Sequence, residues 1–369
     1  MFNQVIFLKK NIINIIALLI AYFLFGYLGL LTISFSYLIS ILPFGRDIIY
    51  LTKSKKNHGI NKDNNSRLGG FLIFSIFAFC YFNFIPNVVE TKLVYANIFY
   101  FLIVLVALIG VADDMLNNII SSKIKLFSQT IIIIFIFLIN QNLIFQINSV
   151  EILSSFPNIF FINLFLSTIF CLAFMNASNM SDGANGLLSG IAILISFILY
   201  KETNYEIFLY LTQIIGGFFV VNTVYGKIYL GDTGSYLIGI YLCLIGFYFT
   251  QNLNYSLGFF ACILSYPCVE FSQTVARRIK NKKNILIYDD YHLHNLLFRN
   301  LNLAKINSHY KNSFIGIIIN FIFTLPGLLI YLYIGNTYSY IYWIFFLIQS
   351  FLYFYLYLYF KKKDLIKNK

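Results

Sequence analysis

Long apolar runs, each closed by a short polar segment, occupy almost the whole chain. They fall at about 12–42, 68–86, 93–112, 126–147, 156–176, 186–200, 206–225, 234–250, 254–275, 313–334 and 338–360. A helix of about 20 apolar residues matches a hydrocarbon core of about 30 Å. A helix also satisfies its own backbone, which lipid cannot do. The pattern therefore predicts an all-α polytopic transmembrane bundle of about 11 spans, read as one membrane domain over 1–369. The runs at 186–200 and 234–250 are short, and 12–42 is long for one helix and cramped for two. The polar segments expected to carry chemistry are about 44–67, 113–125, 177–185, 226–233 and 276–312.

Composition agrees: 59% of residues are apolar, 11% are charged, and the mean hydropathy is +0.78. Those values exclude an ordinary soluble domain. Of the 26 Lys and Arg, 22 fall in the connections after the odd-numbered runs and in the tail. By the positive-inside rule those connections and the C-terminus are cytoplasmic and the N-terminus is outside. The net charge of +12 is thus mostly topology, and it also suits anionic lipid headgroups or a phosphorylated substrate. No basic segment stands apart as a domain, so nucleic acid is not an expected partner. The five cysteines lie inside apolar runs without a CxxC and read as small core residues. Lys9 and Lys10 precede an apolar stretch reaching Pro43, too long for a signal-peptide core and read as an anchor. Of the 14 acidic residues, Asp113, Asp114, Asp182, Asp232, Asp289 and Asp290 sit in predicted cytoplasmic connections. Glu270 lies near the cytoplasmic end of a predicted span. Charges near the midplane of the spans would mark a transport path; their scarcity favours a site at the inner surface, with a transporter of lipid-linked or anionic solutes as the alternative.

Five polar segments carry candidate chemistry. The first ends in Arg67-Leu68-Gly69-Gly70, where paired glycines permit close backbone approach and Arg67 can meet a phosphate or anchor at the membrane edge. The second places Asp113 and Asp114 side by side at the end of an apolar run, expected to face water and to need a cation such as Mg²⁺. Lys125 and Gln129 follow, four apart and on one helical face; Lys125 suits a phosphate or the headgroups equally. The third, Asn176 to Leu187, has no basic residue and offers Asn176, Asn179, Asp182 and Asn185 as oxygen ligands among small residues. In the fourth, Gly231-Asp232-Thr233-Gly234-Ser235, glycines flank a carboxylate, and Thr233 or Ser235 is expected to cap the next helix. The fifth holds Arg277, Arg278, Asp289-Asp290-Tyr291-His292-Leu293-His294-Asn295 and Arg299. Histidines two apart point the same way in an extended segment.

These five segments, in this order, resemble the polyprenyl-phosphate N-acetylhexosamine-1-phosphate transferases (glycosyltransferase family 4), particularly their bacterial undecaprenyl-phosphate branch. The resemblance covers roughly residues 45 to 300. It implies an integral protein of the bacterial inner membrane with ten or eleven spans and a cytoplasmic active site. It implies transfer of a sugar 1-phosphate from a UDP-sugar to undecaprenyl phosphate, with release of UMP. It implies Mg²⁺, with Mn²⁺ as the alternative ion, and admits a homodimer. Asp113 and Asp114 match the family's paired aspartates, and Lys125 and Gln129 its Lys-Leu-x-x-Gln. Asn176, Asn179, Asp182 and Asn185 fall in its Asn-rich loop. Asp232, helped by Asn179, matches the metal-holding aspartate. His292 and His294 match the histidines that contact the nucleotide-sugar phosphates, and Arg67, Asn176, Asn185 and Arg299 join the substrate-binding set. Asp113, Asp114, Asp182 and Lys125 form the implied catalytic set. Three departures stand out: Asn64-Asn65-Ser66 replaces Pro-Thr-Pro, Asn185 the second loop aspartate, and Asn295 the third histidine. They raise the alternative of a catalytically impaired member. The histidine motif lacks the form of the peptidoglycan-precursor branch, which favours a surface-polysaccharide initiator.

Overall fold

The computed structural model describes residues 19, 22–36, 66–84, 106–114, 120–149, 155–226, 228–253, 255–285, 289–301, 306–336 and 338–367. Among these residues the secondary structure is helical throughout, and the one β-type pairing is a parallel bridge between Ser66 and Ile228. The helices are α1 (Tyr22–Ser36), α2 (Gly69–Phe84), α3 (106–114), α4 (Ser122–Ile139), α5 (Phe160–Ser181), α6 (Leu187–Thr203) and α7 (Glu206–Val220). There follow α8 (Gly231–Asn252), α9 (Leu257–Ile263), α10 (Ser265–Lys280), α11 (Leu293–Asn300), α12 (Ser308–Phe323), α13 (Leu325–Ile334) and α14 (Ser339–Lys367).

Six helical stretches are long and apolar enough to cross a membrane: Ser122–Ile139, Phe160–Ser181, Glu206–Tyr225, Gly231–Gln251, Ser308–Ile334 and Ser339–Ile366. Tyr22–Ser36 and Gly69–Ala78 are shorter apolar helices. The six long stretches correspond to six of the about 11 expected spans; about half of the first run and most of 93–112 lie outside the described residues. Two runs expected as single helices are broken. The run 254–275 divides at Leu264 into α9 and α10, and 313–334 divides at Thr324, before Pro326, into α12 and α13. A proline cannot donate to the preceding turn, so the second break follows directly. The first separates the apolar α9 from α10, whose last turn carries Arg277, Arg278 and Lys280 beyond that run.

α5 packs along α8, α6 along α7, and α14 against α9, α10 and α11. The seam between α4, α5 and α8 is filled by Ile133, Ile136, Phe137, Met175, Tyr236 and Ile240. A larger core joins α6, α7, α9 and α10 to the last three helices through residues such as Leu188, Phe218, Phe259 and Tyr266. Apolar side chains also cover the outside: Phe127 on α4, Phe161 and Phe165 on α5, and Tyr333 and Phe351 further on are exposed. In water that would be costly, whereas in lipid it is the expected outer surface. The chain is read as a multi-pass membrane protein.

The polar ends of α2 and α8 are drawn together by the Ser66 bridge. Tyr229 N donates to Ser66 O at 2.8 Å, Gly69 N to Tyr229 O at 2.9 Å, and Gly70 N to Leu230 O at 2.8 Å. This short pairing sets the start of α2 against the start of α8.

Candidate active site

Four of the polar segments meet at the first turn of α8. Asp114, at the end of α3, accepts hydrogen bonds from Asp232 N (3.0 Å), Thr233 N (3.0 Å) and Thr233 Oγ1 (2.8 Å). Its carboxylate is thus the N-terminal cap of α8, supplied from 118 residues away. That corrects two expectations. Thr233 and Ser235 do not cap the helix from within its own segment, because α8 begins at Gly231 and already contains them. Asp113 and Asp114 do not face water either: they are 0% and 3% exposed. Their helix end is roofed by the α8 terminus. Gly231 makes the approach possible at φ +73°, where a Cβ would lie 2.6 Å from both Asp114 Oδ2 and the Arg67 carbonyl. Arg67 adds a loose ion pair to Asp114, 3.9 Å from Nη1 to Oδ1.

Lys125 closes the other side. Its Nζ lies 2.5 Å from Asp113 Oδ2 and 3.5 Å from Asp232 Oδ2. Asn179, in the last turn of α5, lies beside the Asp232 carboxylate. The expected all-oxygen loop is mostly helix: α5 runs through Ser181, leaving Asp182 to Gly186 as a tight turn. Burial, and then the Asp232 carboxylate, push Asp113 up to about 6 against the pull of Lys125. Burial and Asp232 push Asp114 up to about 7, against the three hydrogen bonds it accepts. Burial, with Asp232 and Asp114 nearby, raises Asp182 well above the usual carboxylate range.

The histidine segment forms the other wall. His292 is the N-cap of α11 with an extended backbone, and His294 lies in the helix's first turn. The pair is therefore not in an extended strand; it straddles a helix start, and the rings still stack, with centroids 5.5 Å apart and planes 3° apart. Both are buried. Burial, and then the neighbouring His292, lower His294 to about 3, so it is neutral at physiological pH. The two walls touch at Gly183, where a Cβ would run into the His294 ring.

Side chains outside the implied catalytic and substrate-binding sets organise this wall. Glu270 on α10 bonds His292 Nδ1 at 2.9 Å and accepts from Leu293 N at 3.0 Å. Arg277 donates to Asp289 at 2.6 Å and to the Tyr291 carbonyl at 2.7 Å, and Arg278 Nε lies 3.5 Å from the same aspartate. These two arginines depress the Asp289 carboxyl, offsetting its burial. A lone acid near the cytoplasmic end of an apolar run was the available sequence signal for Glu270.

Other predicted residues take supporting positions. Asn176 turns its amide back to the Leu172 carbonyl of its own helix at 2.8 Å. Asn185 donates to Ser313 Oγ at 3.2 Å and accepts from Asn312 at 3.2 Å, bolting the turn to α12. Asn222 and Asn320 clamp the next residue: Gly186 N donates to Asn222 Oδ1 at 2.7 Å, and Asn320 donates to Gly186 O at 2.9 Å. Asn295 is buried. Arg299 makes a forked contact to Asp364 of α14, at 3.1 Å and 3.0 Å.

A Mg²⁺ ion takes one or two carboxylates and leaves its other positions to phosphate and water. Among the described residues no three His, Cys, Asp or Glu side chains form a closed metal cage. The hard oxygens of Asp232 and Asn179 meet the smaller requirement. Asp113 Oδ1 beside them is buried with no hydrogen-bond partner among the described residues. The donor set therefore fits Mg²⁺ with Asp232 and Asn179 as ligands.

Residues 96–250 match the model of the glycosyl transferase family 4. The chain is 30% identical over 160 residues to an undecaprenyl-phosphate alpha-N-acetylglucosaminyl 1-phosphate transferase of Thermotoga maritima, covering 43% of this chain and 50% of that one. It is 26% identical over 251 residues to a probable undecaprenyl-phosphate N-acetylglucosaminyl 1-phosphate transferase of Bacillus subtilis, covering 65% and 66%. To a phospho-N-acetylmuramoyl-pentapeptide-transferase of Streptococcus sanguinis it is 32% identical over 157 residues, covering 38% and 46%. The matches thus span about half the length of the first of these relatives.

Proposed function

We propose, from the premise that residues 96–250 belong to glycosyl transferase family 4, that the chain transfers a sugar 1-phosphate from a UDP-sugar to undecaprenyl phosphate. A lipid phosphate oxygen attacks the sugar-bearing phosphorus, the pyrophosphate P–O bond breaks, and UMP leaves. The product is a lipid-linked sugar pyrophosphate, and an N-acetylhexosamine is the favoured sugar. The observation that carries the reading is the convergence of Asp113 and Asp232, from two helices, on the Lys125 ammonium of a third.

Transfer between two anions needs charge cancelled and reactants aligned. Lys125 and Arg67 are the cations available on the carboxylate side. Asp113 titrates near 6, so it can orient the lipid phosphate or take its proton at neutral pH. Asp232 and Asn179 would hold Mg²⁺, which when bound would supply positive charge to the UDP-sugar pyrophosphate and the departing UMP. Asp182 borders the same turn, and His292 and His294 face the nucleotide sugar. The site is assigned to the cytoplasmic face of the inner membrane, where it would begin a surface polysaccharide.

The test is incubation of the purified chain with undecaprenyl phosphate, Mg²⁺ and a panel of UDP-sugars. UMP release matched by one lipid-linked product is expected. No UMP from any donor, with the fold intact, would sink the reading.

A further inference from the structure

Glu270 is fully buried, and its two oxygens face five donors. Oε1 accepts from Thr274 Oγ1 at 3.2 Å and lies 2.9 Å from His292 Nδ1. Oε2 accepts from Leu293 N at 3.0 Å, Tyr353 Oη at 2.8 Å and Tyr266 Oη at 3.2 Å. A carboxylate so surrounded is ionised and can only accept. His292 must therefore carry a hydrogen on Nδ1.

Tyr266 then decides the state of His294. It has one hydroxyl hydrogen and two neighbours, Glu270 Oε2 and His294 Nδ1, the latter at 3.0 Å. Turning the hydrogen toward His294 would set two oxygen lone pairs against each other at 3.2 Å in a dry site. Turning it toward Glu270 leaves the hydroxyl oxygen to accept from His294 Nδ1–H. The second arrangement satisfies Glu270, Tyr266 and His294 Nδ1, and it leaves His294 Nε2 as a lone pair against the Asp182–Gly183 turn.

We propose that Glu270 is a positioning residue that fixes both imidazoles with hydrogen on Nδ1, His292 directly and His294 through Tyr266, so that His294 offers Nε2 as a hydrogen-bond acceptor. The chemistry it takes from a donor substrate is then a hydroxyl or an N–H, not a phosphate oxygen. This rests on the reading of the histidine wall as part of the nucleotide-sugar site. The orienting logic is that of a second group holding a histidine tautomer for the first.

The chain has four histidines, so ¹⁵N spectra of histidine-labelled full-length protein in micelles can resolve them, with His294 assigned by difference against His294→Asn. At pH 7, His294 should show a protonated Nδ1 and a bare Nε2. Tyr266→Phe should move its hydrogen to Nε2 and lower turnover about ten- to a hundredfold, leaving His292 unchanged. A wild-type His294 with hydrogen on Nε2, or on both nitrogens, overturns the proposal. So does an unchanged His294 pattern in Tyr266→Phe. If that variant does not fold, the wild-type spectrum alone decides. No substrate is needed for it, so a wrong donor or a wrong reaction leaves the tautomer result standing.

Discussion

At the scale of single residues, the two neighbouring aspartates do different work. Asp114 is spent on structure: its three hydrogen bonds hold the start of α8. In Asp114→Asn the new amide N–H₂ would face backbone donors, leaving buried groups unpaired. We expect a loss of about 1–3 kcal/mol in stability, read by thermal unfolding in detergent, with activity falling alongside. Asp113, with one oxygen unpartnered, is free for chemistry. Asp232 and Asn179 are the proposed Mg²⁺ ligands. Asp232→Asn should therefore lower the rate and raise the Mg²⁺ concentration needed for half-activity. Asp113→Asn should lower the rate with little change in that concentration. Titration of both variants with Mg²⁺ distinguishes them, and the reverse pattern means the two roles are exchanged.

At the scale of elements, α14 reaches into the site although it lies far beyond residues 96–250. Tyr353 donates to Glu270, Tyr357 Oη accepts from Arg277 at 3.1 Å, and Asp364 pairs with Arg299. Arg299 was expected to bind substrate, and the forked contact gives it a structural alternative. The pair is partly exposed, so it should contribute about 0–1 kcal/mol. A cycle of Arg299→Ala, Asp364→Ala and the double variant separates the roles. Equal, non-additive losses in activity are expected if the pair acts as a unit; additive losses would give Arg299 a role of its own. Apolar periodicity was enough to locate most of these helices, because burial in lipid leaves its mark on every residue of a span. Pro326 marks the break at Thr324, but the residues on either side stay apolar enough to read as one span. The break at Leu264 was not legible, for the same reason. Nor was the Asp114 cap. Its donors are 118 residues away, and a local pattern says nothing of such a contact. The ordered motifs brought Asp113, Lys125, Asn179 and Asp232 together through resemblance alone. Glu270 was visible as a misplaced charge, but its purpose needed the neighbouring tyrosines and histidines.

At the scale of the whole molecule, the asymmetry of basic residues is a statement about orientation. A reporter fused after Lys283 should read cytoplasmic; a periplasmic reading would invert the arrangement of every connection. If that orientation holds, a protein carrying +12 overall gathers most of its positive charge on one face. Yet among the described residues the cluster at the start of α8 sets four carboxyls, Asp113, Asp114, Asp182 and Asp232, against two bases, Lys125 and Arg67. Once Asp113, Asp114 and Asp182 have lost their protons, against the upward push of burial, the far field and the near field have opposite sign. An anionic reactant is drawn in from a distance and then refused at contact, until a cation has arrived to reverse the local balance. The acidic cluster thus acts as a rule of sequence in time: the order in which ligands arrive is written into the charge of the floor they land on.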